Sequence, residues 1–187
     1  MLEHDFHEFF VTHSVPKMVR KGEILLRNGE TTEYVFYVES GCLKSYTIDE
    51  KGKEHIFQFA PEGWVITDHA SIVNKEPARL NISAIEDSLV RFLKIPSVDN
   101  HFESLNKEQI VEMNYKLMRR IAAHQNRIIQ LLSSSAEDRY NSFNKTYPNL
   151  ALRLPQKMIA SYLGITPETL SRVRKEMTTK KSAHFLS

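Results

Sequence analysis

Short apolar runs separated by turn residues form the pattern of the first half of the chain. The runs have the length and composition of β-strands, and glycines such as Gly29 and Gly41 mark the turns between them. Strands are predicted over 24–26, 34–38, 42–48, 55–59, 80–85 and 89–95. Strands with this spacing predict a compact antiparallel sandwich or barrel. A short helix is predicted before them, over 1–14, with an apolar side formed by Phe6, Phe9 and Phe10.

After Pro96 the hydrophobic period becomes helical. The segment 105–132 contains no proline or glycine, and one set of positions recurs with alternating steps of four and three. This set is Ile110, Asn114, Leu117, Ile121, His124, Ile128 and Leu131. A heptad seam of this length favours pairing with another long helix, and we expect a parallel homodimer.

Two features of this helix bear on that prediction. Asn114 and His124 place polar groups in the seam, where such residues commonly fix the register of a helix pair. Met113, Met118 and Ile129 supply a second apolar edge. The alternative is therefore a long helix that packs wholly against its own β domain.

A run of serines, 133–135, is predicted to break the long helix and to act as a hinge. Ser134 and Glu137 have the spacing of a capping box, which predicts a new helix to about residue 147. The resulting organisation has three parts: a β domain over 1–104, a dimerisation helix over 105–133 and a small helical domain over 134–187. The predicted fold class is α+β.

The window 156–175 has the spacing of a helix-turn-helix. Ala160 is small enough for two helices to approach closely, and Gly164 can take the positive φ that the turn requires. Thr166 is then the predicted cap of the second helix, with Pro167 at its first position. The alternative is an ordinary helical hairpin with a solvated polar face.

Side chains of the second helix separate into two faces on a wheel of 100° per residue. Leu170, Val173 and Met177 share one face and are predicted to pack inward. The opposite face carries Glu168, Ser171, Arg172 and Lys175, which are predicted to face a DNA major groove.

Charge is distributed unevenly along the chain. Residues 135–187 carry nine Lys or Arg against four Asp or Glu, a net charge of +5, so with +2 overall residues 1–134 carry −3. A basic excess next to the helix-turn-helix is what neutralisation of phosphates requires, although a basic tail without a partner has the same composition.

Other features exclude some classes of protein. The chain of 187 residues has one cysteine, Cys42, so it has no intrachain disulfide and no cluster held by several thiolates. It has no long apolar run and no secretory-type start, which predicts a cytoplasmic protein without membrane contact. No nucleophile-elbow, Walker or dinucleotide motif is present, and no enzyme activity or cofactor is predicted.

Five segments carry a resemblance to a known family: KGEILLRNGE at 21–30, YVESG at 37–41, the turn at 49–52, APEGW at 60–64 and LPQKMIASYLGITPETLSRVRKE at 154–176. With the order of β domain, long helix and helix-turn-helix, the chain resembles the Crp/Fnr family of bacterial transcription regulators. The resemblance implies a cyclic-nucleotide-binding-like β-roll, a homodimer and recognition of a palindromic operator in double-stranded DNA. RNA polymerase is a further implied partner.

The resemblance also implies site residues. The positions that read bases in the family correspond here to Pro167, Glu168, Ser171 and Arg172. Contacts to DNA phosphates are expected from Lys157, Thr169, Arg174 and Lys175.

Two departures from the family pattern alter these expectations. Members that bind cyclic AMP hold its phosphate with a Gly-Glu pair and an Arg-Ser pair, but in the corresponding stretch here, EGWVITDHASIVNKEPARLNIS at 62–83, Leu80 follows Arg79 and neither pair is present. Control by cyclic AMP is therefore not expected. After Met177 ten residues remain, too few for the β-hairpin wing that usually follows, which implies a shorter DNA contact.

A pocket for some other small-molecule effector is also predicted inside the roll. Its candidate residues are Trp64, His69, Arg79, Asn81 and Ser83. The alternative for two of them is structural, with Trp64 as core filling and Arg79 in a surface salt bridge.

The rival interpretation of the whole chain is a cupin-like β-barrel protein that senses a ligand or depends on a metal, with helices for protein association. A cupin-type site needs a close His pair and a carboxylate, whereas His55 and His69 stand on separate segments. No metal site is therefore predicted.

Overall fold

The computed structural model describes residues 9–96 and 105–184, with side chains as far as residue 179. The chain divides into two compact units, Met1–Ile110 and Val111–Ser187. The long helix therefore falls mostly in the same unit as the C-terminal helices, whereas the sequence pattern treats it as a separate part.

The first unit is built on antiparallel strands and includes a short helix, α1, at His69–Asn74. The strands are β1 Val15–Val19, β2 Ile24–Leu26, β3 Tyr34–Ser40, β4 Leu43–Ile48, β5 Glu54–Ala60, β6 Val65–Ile66, β7 Asn81–Ala84 and β8 Ser88–Lys94. They form two four-stranded sheets, with the orders β1-β8-β3-β6 and β2-β7-β4-β5. The predicted antiparallel β-roll is confirmed.

Alternation of side chains along the strands builds a core from both sheets. One continuous cluster joins Phe36, Val38 and Val90 of the first sheet to Leu43 and Ile82 of the second, all 1% exposed or less. The apolar residues of the predicted strands therefore form one core between the two sheets.

Two strands and α1 have no counterpart among the elements that the hydrophobic pattern indicates. β1 contains Pro16, which an interior strand does not tolerate, but β1 is an edge strand paired only with β8. β6 has two residues, too few for any period to show. These elements depend on pairing with distant partners.

Residues 9–13 are helical and pack on the first sheet. Phe10 stacks on Tyr37 of β3 with ring centroids 4.8 Å apart. Arg91 of β8 is buried and donates from Nε to Glu39 Oε2 at 2.6 Å. Its Nη1 donates to the carbonyls of Val11 and Ser14, both at 3.3 Å, so one arginine ties this segment to the sheet. Phe6, on the same predicted helix, lies outside the described residues.

The second unit contains most of the long helix α2 and four further helices. Their bounds are α2 Lys107–Ser133, α3 Ala136–Thr146, α4 Leu150–Arg153, α5 Gln156–Leu163 and α6 Pro167–His184. The long helix and the break after it agree with the sequence pattern. The predicted cap is displaced by one residue: Ser135, not Ser134, accepts from the amide of Asp138, at 3.1 Å. The Asp138 carboxylate also accepts from the Ser135 hydroxyl, at 2.6 Å, so the two side chains are paired.

Two further differences concern helix length. A short helix, α4, lies between the helix predicted to about residue 147 and the helix-turn-helix window. The second helix of the helix-turn-helix extends beyond the predicted window, which ends at residue 175, and continues to His184.

The turn between β3 and β4 depends on Gly41. Its φ is +90°, and a Cβ atom there would lie 2.3 Å from Ser88 Oγ and 2.8 Å from the Asp87 carbonyl oxygen. We expect Gly41→Ala to lower the free energy of unfolding by about 2–4 kcal/mol, from backbone strain plus overlap with β8. Urea denaturation measures the change.

The matched control is Gly52→Ala. Gly52 also has a positive φ, +76°, but a Cβ there would meet nothing within 4 Å. We therefore expect Gly52→Ala to lower the free energy of unfolding by only the cost of the left-handed backbone, roughly 1 kcal/mol. Equal losses in the two variants would contradict the role of close packing at Gly41.

Candidate nucleic-acid interface and effector pocket

The turn between α5 and α6 has the geometry that its glycine predicts. α5 ends at Leu163 and is followed by Gly164, which is left-handed with φ 66° and ψ 34°. The amide of Ile165 donates to the Ala160 carbonyl at 3.0 Å, which closes the turn in a Schellman arrangement. Ala160 itself is 1% exposed, as expected for a residue between two close helices.

The start of α6 is capped by Thr166. Its hydroxyl oxygen accepts from the amide of Thr169 at 3.2 Å, and its carbonyl accepts from the amide of Leu170 at 3.0 Å. The predicted cap is confirmed, with Pro167 as the first helical residue.

One face of α6 is buried in the unit. Leu170 is 0% and Val173 6% exposed, and Met177 is partly buried. α6 packs on α3 and α5, whose buried residues include Phe143 and Ile159. The apolar face predicted from the wheel is therefore an inward face.

The opposite face is open to solvent. The four residues predicted to read bases, Pro167, Glu168, Ser171 and Arg172, are all exposed. Of the four predicted phosphate contacts, Lys157 and Lys175 are exposed, and Thr169 and Arg174 are partly buried. Thr169 has a structural task as well, because its hydroxyl pairs with that of Thr166 at 3.2 Å.

Charged groups on this face are available to an outside partner. Within the part of the chain that the structure describes, neither Arg172 nor Lys175 has an ion-pair partner. The pKa of Glu168 is lowered by hydrogen bonds from its own amide and from the Thr166 hydroxyl. Glu168 is therefore ionised at neutral pH and acts as a hydrogen-bond acceptor only.

The heptad seam of α2 is accessible in the isolated chain. No residue of α2 is buried, and Leu117, Ile121 and Ile128 are each more than half exposed. Ile110, Asn114 and Leu131 are also exposed, whereas His124 is half-buried. Burial, followed by the charges of Arg120 and Arg127, lowers the pKa of His124, so its ring is neutral at pH 7.

The five residues predicted for an effector pocket lie in different surroundings. Trp64 is partly buried against the core cluster to which Ile82 and Ala84 of β7 belong. Asn81 and Ser83 alternate with those two residues and therefore lie on the other face of β7.

Their polar groups have local roles. Asn81 Oδ1 accepts from the amide of Asn28 at 3.0 Å. Arg79 is exposed, and its Nη2 lies 3.7 Å from Glu76 Oε2. This ion pair at the surface is the structural alternative to a role in an effector pocket. His69 is exposed at the start of α1. The effector pocket remains a prediction.

Two family models match the two units. The model of the cyclic nucleotide-binding domain matches residues 16–104, and that of the Crp-like helix-turn-helix domain matches residues 126–182. The chain belongs to the Crp/Fnr family of transcription regulators. The second match begins inside α2, so the Crp-like domain includes the last turns of the long helix.

Relatives and solved structures agree with this membership. The chain is 28% identical over 170 residues to Electron transport regulator A of Shewanella oneidensis, covering 84% of this chain and 66% of that protein. It is 29% identical over 191 residues to the fumarate and nitrate reduction regulatory protein of Salmonella typhi, covering 91% and 72%. The chain thus spans just under two thirds of the length of the first relative. The structure of FixK2 from Bradyrhizobium japonicum shares the fold, with a TM-score of 0.75 at 24% identity over 90% of this chain and 86% of that one.

A buried carboxylate lies beside the backbone of Arg79, one of the candidate effector residues. Asp68 caps α1, is 3% exposed, and accepts from the amide of Ser71 at 3.0 Å. Its second oxygen accepts from the amides of Arg79 and Leu80 at 2.8 and 3.0 Å. The backbone donors beside Arg79 are therefore engaged by the protein's own anion. Asp68 is not among the site residues predicted from the sequence, although its position three residues before Ser71 is that of a helix cap.

Metal ligation finds no support among the described residues. His55 Nε2 lies 2.8 Å from Asp49 Oδ2, but no group of three His, Cys, Asp or Glu side chains comes together in the described part of the chain. Within the same residues, no helix has the length and apolar character needed to cross a bilayer.

The hydrogen bonds of Asp68 have a consequence for stability and its dependence on pH. Burial raises the pKa of Asp68, but the amides of Ser71, Arg79, Leu80 and Ala70 together outweigh it, and the pKa lies below its ordinary value of 3.8. We expect Asp68→Asn to lower the free energy of unfolding at pH 7 by roughly 1–3 kcal/mol, because the amide side chain cannot accept all of these bonds. Urea denaturation across a pH series measures it.

The pH profile separates the charge from the packing. A lowered folded-state pKa stabilises the fold above the unfolded pKa, and this contribution is lost as the pH falls through the folded pKa. The gap between wild type and Asp68→Asn should therefore be constant above about pH 5 and narrow below about pH 4. A gap that stays the same at low pH would contradict the role of the carboxylate charge.

Proposed function

We propose that this protein is a homodimeric, sequence-specific DNA-binding transcription regulator in which α6 of each protomer enters the major groove of a palindromic operator. The observation that carries the proposal is the division of α6 into two faces. Leu170 and Val173 are buried, while Arg172 and Lys175 stand exposed on the opposite side. A helix held in this way can present its polar side chains to base edges at fixed positions.

The chemistry of the exposed residues suggests their roles. Arg172 can donate two parallel hydrogen bonds to a guanine, and ionised Glu168 can accept from a cytosine amino group. Ser171 can donate or accept, and Pro167 offers an apolar contact at the helix start. The phosphate contacts are assigned to Lys157, Thr169, Arg174 and Lys175.

The exposed seam of α2 supports the homodimer. A continuous apolar stripe on a 27-residue helix is costly to leave in water, and a second copy of the helix would cover it. The neutral ring of His124 adds no charge to such an interface. In the dimer, the two α2 helices would set the separation of the two α6 helices at about 34 Å, one turn of DNA.

Control by cyclic AMP is not part of this proposal. The amides of Arg79 and Leu80 already bind Asp68, so a phosphate could use them only by displacing a buried carboxylate. We propose that the dimer is competent to bind DNA without this ligand. Reading chromosomal DNA implies a cytoplasmic protein, with RNA polymerase as the further partner on which regulation acts.

Substitutions on α6 test the division between base and phosphate contacts. We expect Arg172→Ala to weaken binding to the preferred duplex by about 1–3 kcal/mol and to relax its specificity. Lys175→Ala should weaken binding to all duplexes alike, because phosphates carry no sequence information. Titration of each variant against a duplex selected by the wild type and against a random duplex measures both effects.

Two conditions sharpen this test. Binding of the wild type should fall steeply as salt rises, since phosphate contacts release counterions. Added cyclic AMP should leave the affinity unchanged. Equal losses on both duplexes for Arg172→Ala would exclude base reading by Arg172, and absence of affinity for any duplex would refute the proposed function.

Dimerisation is tested on the seam of α2. Ile121 is 51% exposed in the isolated chain, and Ile121→Asp would place a charge in the proposed interface. We expect the variant to sediment as a monomer and to lose at least about tenfold in operator affinity, because one half-site alone is then bound. Arg119→Asp is the matched control, since Arg119 lies on the opposite side of the same helix and is exposed. Sedimentation of Ile121→Asp as a dimer would contradict the assignment of the seam.

A further inference from the structure

Two guanidinium groups meet the carboxyl end of α5. Arg127, from α2, donates from Nη2 to the Tyr162 carbonyl at 2.8 Å. Arg139, from α3, donates from Nη1 to the Leu163 carbonyl at 2.9 Å. The last carbonyls of a helix have no partner within the helix and carry its negative dipole end. Two cations from two different helices therefore satisfy the end of α5, immediately before the turn at Gly164.

Arg127 makes a second contact with the same residue. Its guanidinium carbon lies 3.6 Å from the centroid of the Tyr162 ring. Tyr162 is 9% exposed and packs against Phe143 and Tyr147, with ring centroids 5.6 and 5.7 Å away. A planar guanidinium can stack on the ring and donate a hydrogen bond to the carbonyl at the same time. An ammonium group cannot make both contacts equally well. One side chain of the long helix is thus attached to the aromatic core of the C-terminal unit.

Neighbouring residues of α2 reach the same region. Gln130 Nε2 donates to Ser142 Oγ at 2.9 Å. A Cβ atom at Gly164 would lie 3.3 Å from Leu131 Cδ2, so the turn of the helix-turn-helix is in close contact with α2. These contacts join residues before the serine break at 133–135 to residues after it. The C-terminal helices could therefore pivot at the predicted hinge only if these contacts were broken.

We infer that Arg127 is a positioning residue that fixes the orientation of the helix-turn-helix relative to the long helix. The inference rests on the proposed function, because in a dimer this orientation determines the spacing at which two α6 helices meet DNA. Arg127 touches no base and no phosphate in this role. It acts through Tyr162 and the end of α5, and so it affects which half-site spacing the dimer accepts.

The preference for one half-site spacing distinguishes a positioning role from a purely structural one. Loss of stability alone would not change which spacing the dimer prefers. Duplexes are first selected by the wild type from a random pool, and the spacing between their half-sites is then changed by one base pair in either direction. We expect the wild type to discriminate among the spacings and Arg127→Ala to lose roughly tenfold of this discrimination, the size of one hydrogen bond to a charged donor. Affinity for a duplex with a single half-site should change less than about twofold.

Control variants separate the contact from the charge. Arg119→Ala removes an exposed arginine from the same helix and should keep the wild-type spacing preference. Arg127→Lys keeps the charge but loses the planar stack, and should resemble Arg127→Ala more than the wild type. If Arg127→Ala does not fold, Arg127→Lys alone provides the test. A variant series in which both Arg127 substitutions keep the wild-type spacing preference would overturn the inference.

Hydrogen exchange provides a readout that needs no DNA. We expect the amides of the segment 159–166 to exchange faster in both Arg127 variants than in the wild type and in Arg119→Ala, because the end of α5 has lost a partner. Unchanged exchange would also overturn the inference. If the wild type selects no duplex while exchange rises as expected, the proposed function fails and the contact of Arg127 with α5 stands.

Discussion

Burial of Leu170 and Val173 is the interaction on which the candidate DNA-binding face depends. A helix with free polar side chains on one side could rotate or fray in water, and its residues would then have no fixed relation to one another. Packing of its other side against α3 and α5 removes that freedom. The cap at Thr166 and the left-handed turn at Gly164 then fix where α6 begins and at what angle it leaves α5. Exposure of Arg172 on the outer face follows from these constraints.

Contacts made by two arginines also fix the long helix α2 relative to the helix-turn-helix. Arg127 and Arg139 satisfy carbonyls that would otherwise be left at the end of α5, and Leu131 lies against the turn. The Crp-like helix-turn-helix model also begins at residue 126, within α2. The unit that reads DNA in the proposed function is therefore larger than the two helices of the motif. It includes the last turns of the helix whose seam is proposed to form the dimer.

The β-roll has the architecture of its family and holds a buried anion of its own. The two sheets and the short helix α1 are present, and the matched cyclic nucleotide-binding domain covers residues 16–104. Yet the amides of Arg79 and Leu80 hold the carboxylate of Asp68. An internal anion can satisfy buried donors as well as an external one does, and it needs no ligand concentration. The fold alone is therefore a poor guide to the effector.

Local patterns in the sequence determined the strands with clear alternation, the long helix, the turn at Gly164 and the two faces of α6, because each depends on residues within one or two turns. Tertiary structure decided the edge strand with Pro16, the two-residue strand β6, and the place of the helix cap at Ser135 rather than Ser134. It also decided the partners of Asp68 and Arg127. A carboxylate and amides eleven or twelve residues away, or an arginine and a carbonyl 35 residues away, leave no periodic signal in the chain. Only folding brings such groups together, because their pairing depends on the packing of whole elements.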